Sequence, residues 1–269
     1  VEQKEKWLPK LASGEVVGTF ALAEGSGRPS ADSLNTRFEA GKLTGKKLPV
    51  PDGNIADFAV IVTKSDTGDG ASLALVELNQ EAVIKSSVRT LDFSRGHASI
   101  EFKGAEAEIL GADGSGWSAM ESLMDRAAVM FAWEQVGIAD AALEQARDYA
   151  MGRYAFGRAI ASYQAIKHKL ADMYVKNTLA RSNCYYGACA LNSDSAELAL
   201  SAATARVGAI QASVNAAQEN VKTHGGMGFT WEFDCQFFYR RAKLLSVNIG
   251  SEGFWQDKLI TAYEQSNVA

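Results

Sequence analysis

Two arginines flank an aromatic residue in Arg153-Tyr-Ala-Phe156-Gly157-Arg158, a short segment between two long helix-forming stretches. A guanidinium donates two parallel hydrogen bonds to a phosphate, and a neighbouring ring can stack on a base or a flavin, so the segment has the chemistry to hold an anionic aromatic ligand. The plainer reading is a helix C-terminus whose cations complement the macrodipole, and spacing alone favours it. A second segment, His224-Gly-Gly-Met-Gly-Phe229, ends a long helix. Its glycines serve either as a left-handed C-cap or as an opening through which a ligand reaches the backbone. It is not the GxGxxG of a dinucleotide fold, because a helix and not a strand precedes it.

The carboxylates offer three candidate bases. Asp125, Glu134, Asp140 and Glu144 share one helix, and Glu134 lies among Met130, Phe131, Trp133 and Val136. A carboxylate in apolar surroundings has a raised pKa suited to proton transfer, although a surface charge on an amphipathic helix is the commoner case. Glu252, between Ser251 and Gly253, stands at an expected kink near the C-terminal end, where the plainer reading is an exposed turn residue. Three cysteines (Cys184, Cys189, Cys235) and three scattered histidines (His97, His168, His224) indicate neither a disulfide framework nor a zinc site. The aromatic group Phe229, Trp231, Phe233, Phe237, Phe238 and Tyr239 reads as core or subunit interface.

Two kinds of element must position these residues. All four prolines fall within the first 51 residues. From Val16 to about Ile109 the pattern is of short apolar or alternating runs, Phe58–Val62, Leu73–Val76 and Ala98–Phe102, separated by turn clusters at Asp52-Gly53-Asn54 and Asp66 to Gly70. After the glycine-dense stretch Gly111 to Gly116, helical spacing takes over, as in Leu123, Ala127, Met130, Phe131 and Val136. Helices are expected over about 117–151, 162–192, 195–223 and 235–267, the last with a break near 248–253 and a fraying tail from Glu264 to Ala269, and Ser193 or Asp194 is expected to cap the third. The fold class is α+β: a β-rich, barrel- or sandwich-like middle domain over residues 1–112, followed by an antiparallel four-helix bundle over 113–269. With 269 residues and 47% hydrophobic content the chain has material for a sizeable core, so disorder is excluded as its main state. A net charge of -5 without a basic run argues against nucleic acid. Charges interrupt every apolar stretch before it could span a membrane and the first residues lack a signal-peptide core, so a cytoplasmic location is expected.

With these segments located, the chain resembles the acyl-CoA dehydrogenase family. The matching stretches are Glu2 to Glu15, Tyr149 to Met173 with its RxxFG and Leu170-Ala-Asp-Met173, and Gly225-Gly-Met-Gly-Phe229 followed by Arg240-Arg-Ala-Lys243, in family order. The variants Phe229-Thr-Trp-Glu232 and Asp125-Arg-Ala-Ala128 are most similar to bacterial dehydrogenases of sterol-derived or other bulky acyl-CoA, some of them heterotetramers. The resemblance implies an FAD-dependent oxidation of the Cα–Cβ bond of an acyl-CoA thioester. A base removes the α-proton, hydride leaves the β-carbon for the flavin, and hydrogen bonds to the thioester carbonyl offset the enolate charge. It also implies a homologous subunit in a homo- or heterotetramer, and an electron acceptor such as electron-transfer flavoprotein.

Three departures qualify that expectation. Family members carry a helical domain ahead of the Glu2-Gln3-Lys4 segment at which this sequence begins, so the sequence is read as a fragment or as a chain lacking that domain. The family's usual glutamate base falls at Ile249, before Gly250-Ser251; the alternative position on the first long helix falls at Ala127, and Asp125 and Glu252 match only after shifts. In the flavin-cradling segments, Ala23 stands where a threonine is expected and Pro49-Val-Pro-Asp52 where Trp-Ile-Thr-Asn is usual, so hydroxyl donors, the indole wall and two backbone N–H groups are missing together. What survives is the set that, in the family, reaches across a subunit interface to the adenosine and pyrophosphate half of the neighbour's FAD: Arg153, Phe156, Gln164, Gly225 and Gly226, with Lys222 where a glutamine is frequent. The expected function is that of a catalytically incomplete subunit which clamps a partner's FAD. The alternatives are a non-redox assembly paralogue of the same fold and a self-sufficient dehydrogenase with a relocated base.

Overall fold

The computed structural model describes residues 2–65 and 70–268 and divides the chain into two compact units, Val1–Ser122 and Leu123–Ala269. Asp66 to Asp69 of the expected turn cluster, and the last residue of the tail, lie outside the described residues.

The first unit opens with a helix that the strand-like pattern did not foretell, α1 (Glu2–Ser13), whose buried Trp7 packs on Phe58 with ring centroids 4.2 Å apart. Seven strands follow: β1 (Gly18–Ala21), β2 (Arg37–Glu39), β3 (Lys42–Pro51), β4 (Phe58–Lys64), β5 (Ala71–Glu77), β6 (Val83–Val88) and β7 (His97–Leu110). Their pairing runs β4–β2–β3–β7–β5 and returns through β5 to β4, so the sheet closes in a barrel-like ring, with β1 also on β4 and β6 also on β7. Closure explains the sequence pattern: β4 and β5 are buried over nearly their whole length, and they read as continuous apolar runs and not as alternation. Leu43, Val50, Ile61, Val76, Ile100 and Phe102 fill the interior. Gly45 is required by geometry, since its φ is +143° and a Cβ there would lie 2.6 Å from the Cα of Thr36.

The helical unit contains α2 (Gly116–Gly152, starting in the first unit), a two-stranded hairpin of β8 (Tyr154–Ala155) and β9 (Arg158–Ala159), then α3 (Gln164–Asn192), α4 (Leu198–His224), α5 (Cys235–Leu245) and α6 (Glu252–Val268). The last expected helix is therefore two, broken at residues 246–251, and α6 stays helical through Val268 where fraying was expected. Alanines build the core: Ala132, Ala139, Ala142 and Ala146 of α2 meet Met173, Ala180 and Cys184 of α3 and Ala205, Ala209, Ala212 and Ala216 of α4. Because alanine is small on every face, α4 can be buried nearly all round. The expected cap of this helix is corrected. The N-cap is Glu197, without a side-chain cap bond, because Asp194 is drawn instead to Arg126 at 2.5 Å, while the Ser193 hydroxyl donates back to the carbonyl of Cys189.

Candidate functional site

The segment read as a helix end with two cations is a hairpin. Arg153 N–H closes α2 on the carbonyl of Tyr149 at 2.8 Å, and Ile160 N–H returns to the carbonyl of Arg153 at 2.8 Å. Between them Phe156 and Gly157 both take positive φ, +51° and +79°, which turns the chain tightly enough for β8 and β9 to pair. Tyr163 braces the hairpin from behind, its hydroxyl donating to the carbonyl of Ala155 at 3.0 Å while the Arg158 guanidinium lies 4.0 Å over its ring. Arg158 is thus committed to the fold. Phe156 is not: its ring is 97% exposed at the tip. The Arg153 side chain is also exposed and has no partner among the described residues. Gln164, exposed as well, is the first residue of the 29-residue α3, whose N-cap Tyr163 makes no side-chain cap bond; Ile166 N–H donates to the carbonyl of Tyr163 at 3.1 Å, and the N–H groups of Gln164 and Ala165 with the positive end of the macrodipole are left to a ligand or solvent.

The ends of three helices meet beside this hairpin. Tyr149, on the last turn of α2, stacks on His224, on the last turn of α4, with centroids 4.0 Å apart, and Phe233 meets both edge-on. His224 is buried, its Nδ1 2.9 Å from the carbonyl of Asn220. The Glu219 carboxylate joins α3 to α4, accepting from Lys169 at 3.0 Å and Lys222 at 2.6 Å. Burial pushes Glu219 up, and the two ammonium partners outweigh it and hold the carboxyl below the usual range. Arg153, Phe156, Gln164, Lys222, Gly225 and Gly226 are thereby gathered around one set of helix ends, with Lys222 already engaged by Glu219. Gly225 needs to be glycine for its own sake, having φ +61° and ψ −136°. Gly228 does too, since a Cβ there would meet the carbonyl oxygen of Val221 at 2.6 Å. Gly226 differs: its φ is ordinary and a Cβ would meet nothing within 4 Å, so the fold of this chain does not demand its smallness. The aromatic group divides, Phe238 packing on the core while Phe229 and Trp231 are 81% and 70% exposed.

The three candidate bases lie apart from these helix ends and are engaged in ion pairs or hydrogen bonds. Glu134 does not stand in apolar isolation: its Oε1 accepts from both Nε (3.0 Å) and Nη2 of Arg241, so the expected apolar surroundings are corrected by a salt bridge to α5 that spacing could not show. Asp125 is buried against Lys258 at 2.5 Å. Glu252, the first residue of α6, accepts from Gln211 at 2.8 Å and Gln256 at 3.1 Å, so it is a half-buried helix-start residue and not an exposed turn residue. Ile249 sits in the turn between α5 and α6 with φ +55°, a conformation that β-branched residues rarely adopt. Arg206 beneath it, fully buried, was not anticipated. The signal for it was a lone charge within Ala202–Ala217, a stretch otherwise uncharged.

In the sheet unit, the segments around Ala23 and residues 49–52 are tied to each other. The carbonyl of Ala23 accepts from Leu48 N–H at 2.8 Å, Gly25 N–H returns to Leu48 at 2.9 Å, and the hydroxyl of Thr19 is spent on the carbonyl of Pro51 at 2.6 Å. Asp52 has φ +54° and is held by Arg95 Nε and Nη2 at 2.8 and 2.6 Å. Lys47 Nζ donates to Glu24 at 2.7 Å and to the carbonyl of Leu22 at 3.0 Å. The segment presents prolines and occupied polar groups, with none of the hydroxyl donors that an isoalloxazine edge would need, so it does not fit that half of a flavin. The helix ends, with a free guanidinium, an uncovered ring and an open glycine, do fit an adenine–pyrophosphate half. Among the described residues, no group of three or more His, Cys, Asp or Glu could hold a metal ion, and no helix is long and apolar enough to cross a membrane.

Residues 114–260 match the family model described as acyl-CoA dehydrogenase, C-terminal domain. The chain belongs to the acyl-CoA dehydrogenase family. It is 34% identical over 262 residues to an acyl-CoA dehydrogenase of Bacillus subtilis, covering 93% of this chain and 69% of that relative. It is 31% identical over 239 residues to acyl-CoA dehydrogenase IpdE2 of Mycobacterium tuberculosis, covering 87% and 67%. The structure of butyryl-CoA dehydrogenase from Megasphaera elsdenii superposes with a TM-score of 0.92 at 25% identity, over 97% of this chain and 72% of that one. The family is one of FAD-dependent oxidoreductases acting on CH–CH donors, and its fold accounts for the pairing of a barrel-like sheet unit with a helical unit.

Proposed function

We propose that this chain is the flavin-supporting, catalytically incomplete subunit of a heteromeric acyl-CoA dehydrogenase. The observation that carries the reading is the hairpin tip, where a phenylalanine is kept in a left-handed conformation with its ring 97% exposed. A bulky residue gains nothing from either condition within its own fold, so the ring is arranged for something that arrives from outside. Arg153 beside it supplies a planar fork for pyrophosphate, the uncapped start of α3 supplies N–H groups and a positive dipole, and Gly226 permits close approach of the ligand backbone-first.

When bound, FAD supplies the hydride acceptor of the family reaction. On this reading, Arg153, Phe156, Gln164, Gly225 and Gly226 hold the adenosine and pyrophosphate half of a cofactor whose reactive ring belongs to a homologous subunit. That subunit also provides the base, because Ile249 offers no proton acceptor and Glu134, Asp125 and Glu252 are held by Arg241, Lys258 and two glutamines. The helices of the second unit act as the antiparallel four-helix bundle on which such subunits assemble into a tetramer, and residues 1–112 and 113–269 act as its two domains. The substrate is an acyl-CoA, of a bulky class given Phe229-Thr-Trp-Glu232, and electrons pass to an electron-transfer flavoprotein in the cytoplasm.

The test is to purify the chain alone and with the product of its neighbouring gene, and to measure FAD per chain and anaerobic bleaching by acyl-CoA. Flavin and bleaching confined to the mixed assembly support the division of labour. Stoichiometric FAD and activity in the lone chain would refute it.

A further inference from the structure

The turn between α5 and α6 is gripped from beneath by one side chain. Arg206 of α4 is fully buried, and among the described residues no carboxylate hydrogen-bonds to it, the Glu134 charge acting on it only through space. Its Nη2 donates to the carbonyl of Leu245, the last residue of α5, and to that of Asn248 at 2.8 Å, while Nη1 donates to Gln135 Oε1 on α2. Gln135 Nε2 in turn donates to Ser213 at 3.2 Å. A buried guanidinium loses its hydration, and burial pulls this one down to about 10. Its position is nevertheless specific, since carbonyls at a helix C-terminus lack intrahelical donors and carry the negative end of the dipole. One residue beyond the second gripped carbonyl stands Ile249 at φ +55°, followed by Gly250 at φ +120°, where a Cβ would lie 2.5 Å from the Phe254 ring.

We propose that Arg206 is a positioning residue: by holding the carbonyls of Leu245 and Asn248 it forces residue 249 into the left-handed region and fixes where its side chain leaves the turn. The geometry of the turn is therefore set by α4 and α2 and not by the residue it displays. Its relevance rests on the acyl-CoA dehydrogenase reading, in which position 249 is that of the family's base.

The inference is tested by a coupling cycle on the intact chain. Ile249→Gly and Ile249→Ala both remove the aliphatic side chain and differ in the Cβ that makes a left-handed φ unfavourable. With Arg206 in place, the glycine variant is expected to have a folding equilibrium constant about three- to tenfold above the alanine variant, because the strain of a Cβ at a left-handed φ exceeds the entropy that glycine loses on folding. With Arg206→Met the turn relaxes, and the preference is expected to vanish or reverse. An unchanged glycine preference without the guanidinium would overturn the proposal. Should Arg206→Met not fold, Arg206→Lys and Gln135→Leu carry the same comparison: lysine retains part of the preference, loss of the glutamine brace lowers it, and equal preferences in all backgrounds overturn the clamp. The cycle reads only folding of this chain, so its failure leaves the flavin reading standing, and failure of flavin retention leaves the clamp standing.

Discussion

Protonating Glu24 removes a defined part of the stability of the sheet unit. Its carboxylate accepts from Asn35 N–H at 2.6 Å, Thr36 N–H at 3.0 Å and Lys47 Nζ at 2.7 Å, and its side chain is 12% exposed. Burial alone would push the carboxyl up, but the donors of Lys47, Thr36 and Asn35 outweigh it and hold the pKa at about 2 against an ordinary 4.5. A carboxyl depressed on folding contributes stability that is present above the unfolded value and is lost as pH falls toward the folded one. At about 1.4 kcal/mol per pH unit, that interval amounts to about 3 kcal/mol, of which about 2.5 is lost by pH 2.5. Lys47 opposes this, because its own burial drives its pKa down and makes its charge at neutral pH unfavourable, so the net contribution of the pair is smaller. The assay is denaturant unfolding of wild type and Glu24→Gln from pH 7 to 2.5. At pH 7 the variant is expected to be less stable by about 3–5 kcal/mol, since Lys47 is left buried without its carboxylate. The gap should then narrow below pH 4.5. Parallel acid limbs for the two proteins would refute the reasoning.

Further outcomes follow from the helix ends. Phe156→Ala changes the stability of the lone chain by no more than about 0.5 kcal/mol, because the ring touches nothing of its own, yet lowers FAD retention by the mixed assembly; unfolding and flavin release are measured in parallel. Gly226→Ala leaves stability equal or raises it by about 0.4–1 kcal/mol, since the added methyl meets no atom, while flavin affinity falls. Arg241→Met removes the guanidinium that pairs with Glu134 and destabilises the helical unit by about 1–3 kcal/mol in thermal or denaturant unfolding.

The sequence was most informative where local chemistry decides conformation. The alanine-rich, proline-free stretches became α2, α3 and α4 within three residues of their expected ends, and the buried runs at 58–62, 73–76 and 98–102 became barrel strands. It was least informative where a partner comes from far along the chain. Glu134 read as a carboxylate in apolar company because Arg241 is 107 residues away, and the hairpin read as a helix end because the brace from Tyr163 depends on a turn that two positive φ angles create. At residues 49 and 51 the missing N–H groups are legible from proline itself, whereas the spent hydroxyl of Thr19 and the Arg95 clamp on Asp52 became visible only in the fold. Helix α1 went unread because Pro9 lies within it.

The most direct test of the account is native mass measurement of the assembly formed with the neighbouring gene product, with FAD counted per chain, for wild type and for Arg153→Ala. The account predicts a mixed oligomer holding fewer FAD than chains, whose flavin is weakened when this chain's arginine is removed. One FAD for every copy of this chain, unaffected by the substitution, would contradict it.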